Sequence, residues 1–234
     1  MWELVEITPE NFKSVVMVFP NAMKNITKIY RKIKAQLDHK EKHRQKALSM
    51  SRSIIRHSGG LISAVHRSED PEELLKGVKA LQRDVDRLKT MLKKHPDLYY
   101  SNIVESAEQE FCEAYIVLSI LTTGSLPEPD ELKTTYTAYI MGLSDAIGEF
   151  RRCALDTLKT RNITKANDFL KVMEDLYNIL IGLDYPAGLI AIRRKQDIAR
   201  GVIEKTRSEI AIIGSNEELR NTIKEFQDSV ISRE

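Results

Sequence analysis

A chain of 234 residues is long enough to bury a sizeable core, either as one domain or as an elongated bundle. With 42% hydrophobic and 30% charged residues but only ten Gly and seven Pro, the composition excludes both a disordered and a collagen-like protein. The net charge of +2 is too small to indicate a nucleic-acid partner by itself, so the distribution of charge along the chain must decide that question.

The sequence predicts a protein of the cytoplasm that makes no membrane contact. No apolar run reaches the ~18 residues that a membrane-spanning helix needs. Residues 1–6 lack the basic and apolar zones of a signal peptide. Cys112 and Cys153 both fall within helical patterns, which predicts buried free thiols in a reducing compartment.

The regular structure is predicted to be entirely helical. Between the prolines, apolar residues recur with a period of 3.6 rather than 2, and no Asn-Gly or Asp-Gly hairpin signal is present. We predict a bundle of about seven helices in a single domain over 1–234, after an N-terminal extension over 1–20. The predicted helices cover 21–57 with a continuation to 67 beyond Gly59-Gly60, then 71–94, 97–122, 130–159, 165–183, 186–213 and a C-terminal helix over 216–231.

The long first helix is predicted to be amphipathic, with a polar face of one sign. At 100° per residue, six basic side chains form a narrow stripe on a straight helix. These residues, called the basic stripe below, are Lys24, Lys28, Arg31, Lys42, Lys46 and Arg56. The apolar residues opposite are Ile26, Ile29, Ile33, Leu37, Leu48 and Ile55. The stripe suits a solvated surface, a nucleic-acid backbone, or an acidic protein partner.

Four carboxylates fall in the predicted helices that have the most apolar character. Glu110 with Glu113 and Asp145 with Glu149 are three or four residues apart, so each pair shares a helix face. Removing like charges from water is costly, and a divalent cation relieves that cost. None of the five histidines has Glu three residues before it, which excludes the usual di-iron pattern. An all-oxygen set of ligands suits Mg²⁺ or Mn²⁺.

A purely structural role for these acids is the alternative. Arg152 lies within about 20° of Asp145 on the helical wheel, so a buried ion pair between an acid and Arg152 would hold two helices in register. Spacing alone leaves both interpretations open.

Two segments that contain the acids resemble a known family. They are Gln109–Ala114, with sequence QEFCEA, and Tyr139–Arg152, with sequence YIMGLSDAIGEFRR. They are similar to the translin superfamily, and specifically to its TRAX (translin-associated factor X) branch. Further similarity lies at Tyr99-Tyr100, at Asn167-Asp168-Phe169 and at Leu189–Lys195, and the resemblance covers roughly residues 20 to 213.

The resemblance implies an all-α fold of about seven helices with a long first helix, assembled into a closed, hollow, octamer-like homo-oligomer that binds nucleic acid inside. In the TRAX branch the two acidic motifs form a Mg²⁺-dependent endoribonuclease site, which maps onto Glu110, Glu113, Asp145 and Glu149. Translin replaces several of these acids and mainly supplies binding and assembly. The basic, His-rich stretch that follows the Tyr-Tyr pair in translin is replaced here by residues 101–105, SNIVE.

We therefore expect an endoribonuclease that cleaves phosphodiester bonds with Mg²⁺ or Mn²⁺ held by the four acids. The expected substrate is single-stranded or short duplex RNA, with single-stranded DNA as a second candidate ligand. The basic stripe and Arg152 are expected to contact its backbone. The alternatives are a non-catalytic, translin-like nucleic-acid-binding oligomer and a helical adaptor that binds an acidic protein.

Overall fold

The computed structural model describes residues 20–67 and 70–231, with side chains over 25–67 and 70–228. All regular structure in these ranges is helical, which confirms the predicted fold class. The helices are α1 (Pro20–His66), α2 (Pro71–Leu92), α3 (Pro96–Tyr99), α4 (Asn102–Thr123), α5 (Pro129–Leu132), α6 (Tyr136–Lys159), α7 (Ile163–Ile181) and α8 (Arg193–Ile231). None of them combines the length and the apolar character that crossing a membrane requires.

The chain divides into two compact units, Met1–Lys46 and Ala47–Glu234. In the first unit, the described residues form the N-terminal part of α1, and their side chains are mostly exposed. The predicted single domain over 1–234 stays a prediction. Residues 1–19 of the predicted N-terminal extension lie outside the described residues.

The second unit contains the hydrophobic core. In it α6 packs against α4, α7 and α8, while α8 also packs on α7 and α2 packs on α4. The largest side chains with almost no exposed surface include Phe111, Leu143, Ile147, Phe150 and Met173. Each such burial contributes roughly 1.5–3 kcal/mol, so apolar packing stabilises the pair of helices, α4 and α6, that carries the predicted acids.

Local sequence signals place the helix ends. The side chains of Asp70, Thr135 and Asn162 accept hydrogen bonds from backbone N–H groups in the first turns of α2, α6 and α7. Gly124 ends α4 in the left-handed region with φ of 70°, and its N–H donates to a carbonyl of the last turn. These caps fix where each acid-bearing helix begins or ends.

The predicted break at Gly59-Gly60 is absent, because α1 continues to His66. A helical glycine costs about 1 kcal/mol relative to Ala. Ser58 and Ile62 on either side are buried, and this packing outweighs the low helix propensity.

Four other predicted helix boundaries were wrong. The predicted helix over 97–122 is divided at residues 100–101 into α3 and α4. The predicted helix over 130–159 is divided into α5 and α6 by residues 133–135, where Lys133 has a left-handed φ of 54°. The predicted helices over 186–213 and 216–231 are one helix, α8, which begins only at Arg193 because residues 186–189 form a turn.

Gly142 allows α4 and α6 to approach each other closely. A Cβ at this position would lie 2.6 Å from the carbonyl oxygen of Gln109 and 2.8 Å from the backbone nitrogen of Glu113. Both contacts are with rigid atoms of α4, so only glycine permits this spacing. The approach brings the helix that carries Glu110 and Glu113 against the one that carries Asp145 and Glu149.

Replacing Gly142 by alanine is expected to lower the free energy of unfolding by about 1–3 kcal/mol, because the added methyl group must push the two helices apart. Gly148→Ala is the matched control on the same helix, since no atom lies within 4 Å of a Cβ built there. Urea unfolding of both variants measures the difference. A Gly142→Ala protein as stable as Gly148→Ala would contradict the close-approach interpretation.

Candidate active site

The four predicted acids lie together in the second unit. Glu110 and Glu113 on α4 face Asp145 and Glu149 on α6, close enough for the charges of the other three to act on Glu113. Glu113 is 9% exposed, whereas the side chains of Asp145 and Glu149 are about one-quarter exposed. The structure therefore forms one partly buried cluster, called the four-acid cluster below.

Asp145 accepts hydrogen bonds at both of its carboxylate oxygens. The Gln109 side-chain amide donates to Oδ2 over 2.6 Å, and the Lys195 ammonium donates to Oδ1. Gln109 comes from α4, one residue before Glu110, while Lys195 comes from the first turn of α8. Asp145 is therefore held by one neutral and one cationic donor from two different helices.

Packing at the start of α8 determines the position of Lys195. The neighbouring Gln196 donates hydrogen bonds to the carbonyl oxygens of Leu180 and Leu183 over 2.7 and 2.9 Å. Ile192, just before the helix, has no exposed surface. These contacts attach the first turn of α8 to the end of α7, so the ammonium is presented to α6 from a fixed backbone.

Glu149 contacts a histidine from the far end of α1. The His66 Nε2 lies 2.7 Å from Glu149 Oε2, and the His66 side chain is only 7% exposed. On the other side of the ring, His66 Nδ1 lies 3.8 Å from Cys153 Sγ. His66 therefore fixes the direction of the Glu149 carboxylate.

Arg152 does not form the buried ion pair that was the structural alternative. Its side chain is 54% exposed, and its Nη1 lies 3.9 Å from Glu149 Oε2, at the limit of an ion pair. An exposed contact of this kind contributes little to stability. Arg152 remains at the edge of the four-acid cluster, where its charge faces solvent.

The four-acid cluster holds too little positive charge to balance its buried carboxylates. Burial, together with the charges of Asp145, Glu110 and Glu149, raises the pKa of Glu113 to about 8 against the opposing effect of Lys195. Burial and the charge of Asp145 likewise raise the pKa of Glu110. An additional cation at the cluster would reverse this cost.

The donor atoms suit a hard divalent cation. All four side chains offer carboxylate oxygens, which Mg²⁺ and Mn²⁺ prefer. Within the described part of the chain, no three of these acids each bring an oxygen to within 4.8 Å of the others. Mg²⁺ is commonly held by only one or two carboxylates with water completing its shell, which fits this spread.

The basic stripe is exposed wherever its side chains are described. In the first unit Lys28, Arg31, Lys42 and Lys46 are exposed, and no carboxylate lies within ion-pair distance of them in the described ranges. Arg56 is exposed in the second unit. The side chain of Lys24 lies outside the described residues.

Both cysteines are free and buried, as predicted. Burial raises the pKa of Cys112 and of Cys153 to about 12, so neither thiol is a nucleophile near neutral pH.

Sequence reasoning did not assign a role to three residues that contact the four-acid cluster. Gln109 was recognised only as part of a motif, and Lys195 only as the end of a similar segment. His66 carried no signal, because 83 residues separate it from Glu149. Lys195 is 50 residues from Asp145, so the spacing within any one helix could not reveal either contact.

Fold and site together define a class: a helical protein with a partly buried all-carboxylate cluster between two packed helices. A sequence profile described as "Translin family" matches residues 21–208. The chain belongs to the Translin family. The resemblance to the translin superfamily is thereby confirmed, while its TRAX branch stays a prediction.

Similar proteins extend this assignment. The Uncharacterized protein MJ0175 of Methanocaldococcus jannaschii is 34% identical over 192 residues, covering 82% of this chain and 85% of that protein. The structure of an AfC3PO complex with duplex RNA has a TM-score of 0.72 and 27% identity, covering 80% of this chain and 97% of that one. Apo-NeC3PO has a TM-score of 0.66 and 26% identity, covering 83% of this chain and 98% of that one.

Glu113→Gln is expected to stabilise the fold in EDTA, and the gain is expected to grow from about pH 5 to about pH 8. Because the pKa of Glu113 rises from 4.5 to about 8 on folding, the folded state binds more protons than the unfolded state in this window. Stability therefore falls as the pH rises, and the glutamine removes that fall. Since one pKa unit corresponds to about 1.4 kcal/mol, the gain should change by roughly 1–4 kcal/mol.

Urea unfolding at both pH values measures this gain. Glu105→Gln, an exposed position on the same helix, is the control and should show no such change. An equal gain at both pH values would show that Glu113 does not titrate in this window.

Proposed function

We propose that this protein is a Mg²⁺- or Mn²⁺-dependent endoribonuclease of the TRAX kind. The observation that carries the proposal is the four-acid cluster, in which burial and three neighbouring carboxylates raise the pKa of Glu113 to about 8. Clusters of titratable groups with strongly shifted pKa values are typical of active sites. The similarity to AfC3PO, which was solved with duplex RNA, supports RNA as the substrate.

Glu110, Glu113, Asp145 and Glu149 would hold the cation. When bound, the ion polarises a phosphoryl oxygen and lowers the pKa of a water molecule. Gln109 and His66 orient Asp145 and Glu149 through the contacts described above.

Where Glu113 does not touch the ion, one of its carboxylate oxygens would accept the proton of the attacking water, because a general base is most effective when its pKa is near the working pH. Arg152 faces solvent at the edge of the cluster and would contact the RNA backbone.

The basic stripe would bind single-stranded or short duplex RNA, and also single-stranded DNA. Phosphate contacts position a strand but do not specify its sequence, so little sequence preference is expected. The stripe side chains described in the first unit form no ion pair with a carboxylate of the described ranges, so their charge is available to phosphates.

Copies of this chain would assemble into a closed, octamer-like particle in the cytoplasm. On the N-terminal part of α1, Ile26, Ile29, Ile33 and Leu37 are all at least half exposed. A contiguous apolar face of this kind is typical of an interaction surface, and assembly would cover it.

A non-catalytic, translin-like binder is the second candidate. The contacts of Asp145 with Lys195 and of Glu149 with His66 favour it, because they satisfy two of the acids without an ion. Such a protein would bind RNA and never cleave it.

Glu113→Gln is expected to lower the rate of cleavage by about 100-fold or more, because it removes either a cation ligand or the general base. RNA affinity and assembly should be unchanged, since Glu113 is not one of the residues proposed to contact the RNA backbone or to form the apolar face. The measurement is cleavage of a labelled single-stranded RNA with Mg²⁺ and with EDTA. Glu105→Gln on the same helix is the control and should cleave normally.

Either of two results would reject the nuclease. One is cleavage by rigorously purified Glu113→Gln at the unmutated rate, and the other is binding of RNA by the unmutated protein with no cleavage in Mg²⁺ or Mn²⁺. The second result would assign the protein to the binding class.

Replacing Lys28, Arg31 and Lys42 together by alanine is expected to weaken RNA binding and to reduce its salt dependence. Each lost contact with a single strand lowers the slope of log K against log salt by about 0.7, so the slope should fall by about 2. The control is a triple alanine variant with the same loss of charge at Lys79, Lys171 and Lys205, which are exposed in the second unit. Equal effects of the two triple variants would show that the stripe is only a solvated surface.

A further inference from the structure

We propose that Lys195 is the resident counter-cation of the four-acid cluster, and that a divalent ion must displace its ammonium from Asp145 in order to bind. This inference rests on the proposed function, because it takes the cluster as the cation site. It assigns Lys195 as a positioning residue that sets the affinity for the ion.

Contacts at Asp145 are the first step of the argument. Both of its oxygens already accept a donor, one from Gln109 and one from Lys195. A divalent ion on the same carboxylate would lie within a few ångströms of the ammonium, and like charges at that separation repel strongly where water is scarce. Gln109 is neutral, so it can stay in place while Lys195 leaves.

The second step concerns which cation acts on the whole cluster. The Lys195 ammonium contacts Asp145 directly, whereas the Arg152 guanidinium lies 3.9 Å from Glu149, at the limit of an ion pair. The Lys195 side chain is 26% exposed and that of Arg152 is 54% exposed. Lys195 therefore compensates the charge of the cluster from within it.

The third step concerns freedom of movement. Only the backbone at Lys195 is fixed, by the contacts of Gln196 and Ile192 with the end of α7. A lysine has four rotatable side-chain bonds, so its ammonium can turn toward solvent without any change in α8. Displacement thus requires a rotamer change and no rearrangement of the fold.

Arg193 provides a matched control two residues earlier. Its guanidinium also contacts an aspartate, Asp184, over 3.2 Å. Both of those side chains are more than three-quarters exposed, and Asp184 is not a member of the four-acid cluster. Removing Arg193 changes the net charge as much as removing Lys195 does, but leaves the four-acid cluster intact.

The test is isothermal titration calorimetry with Mn²⁺ on the full-length unmutated protein, Lys195→Met, Arg193→Met and Glu113→Gln. Lys195→Met is expected to bind Mn²⁺ about tenfold more tightly or better, as a coupling of ordinary size predicts. Arg193→Met should bind like the unmutated protein, and Glu113→Gln should bind more weakly. In EDTA, Lys195→Met should also melt at a lower temperature than Arg193→Met, and Mn²⁺ should raise its melting temperature more.

If Lys195→Met does not fold without the ion, Lys195→Gln replaces it, because the amide keeps a hydrogen-bond donor and removes the charge. Equal or weaker Mn²⁺ binding by the folded Lys195 variant, with binding by the unmutated protein, would overturn this inference and leave the proposed function standing. No binding by any of the proteins would overturn both. Binding by the Lys195 variant alone would support displacement in its strongest form.

Discussion

Like charges that are removed from water repel each other, and in this protein four carboxylates share a partly buried space between α4 and α6. Other features of the second unit either increase this repulsion or compensate it. Gly142 brings the two helices closer than any other residue would allow, which concentrates the charge. Polar groups from three separate segments then converge on the cluster, namely Gln109 from α4, Lys195 from α8 and His66 from α1. The apolar packing between α4 and α6 stabilises the helix pair against the repulsion.

A second buried acid on α4 shows what a structural carboxylate looks like in the same protein. Glu108 is 2% exposed, and Lys89 lies 2.7 Å from one of its oxygens. Its other oxygen accepts from the backbone and the hydroxyl of Thr135 at the start of α6. Glu113, one turn further along the helix, has no hydrogen bond or ion pair within the described residues, although it is nearly as buried. Burial alone therefore does not decide whether an acid of this helix has a partner. The contrast separates an acid that holds helices together from one that still needs a cation or a proton.

Local sequence signals were sufficient to predict the all-helical fold class and the pairing of the acids on each helix. Spacing of three or four residues placed Glu110 with Glu113 and Asp145 with Glu149 on common faces, because a helix repeats regularly. Contacts between distant segments were out of reach, since nothing near His66 or Lys195 in the chain indicates which acid each one meets. The wrong boundaries have the same origin. Packing keeps α1 helical at Gly59 and Gly60, where a break was predicted. The left-handed backbone at Lys133 divides a helix that periodicity predicted to be continuous.

Membership of the Translin family defines the architecture but not the chemistry, because one fold can carry both binding and catalytic proteins. The distinction rests on the few groups that contact the four-acid cluster. An acid with a purely structural role is balanced by a resident cation, as Glu108 is by Lys89. Here Lys195 and His66 satisfy Asp145 and Glu149, while Glu113 is left with repulsion from three sides. Partial compensation of this kind keeps the cluster folded and also keeps it attractive to a cation. A site that must gain and release an ion needs both properties, and the proposed cation site would have them through Asp145 and Glu113.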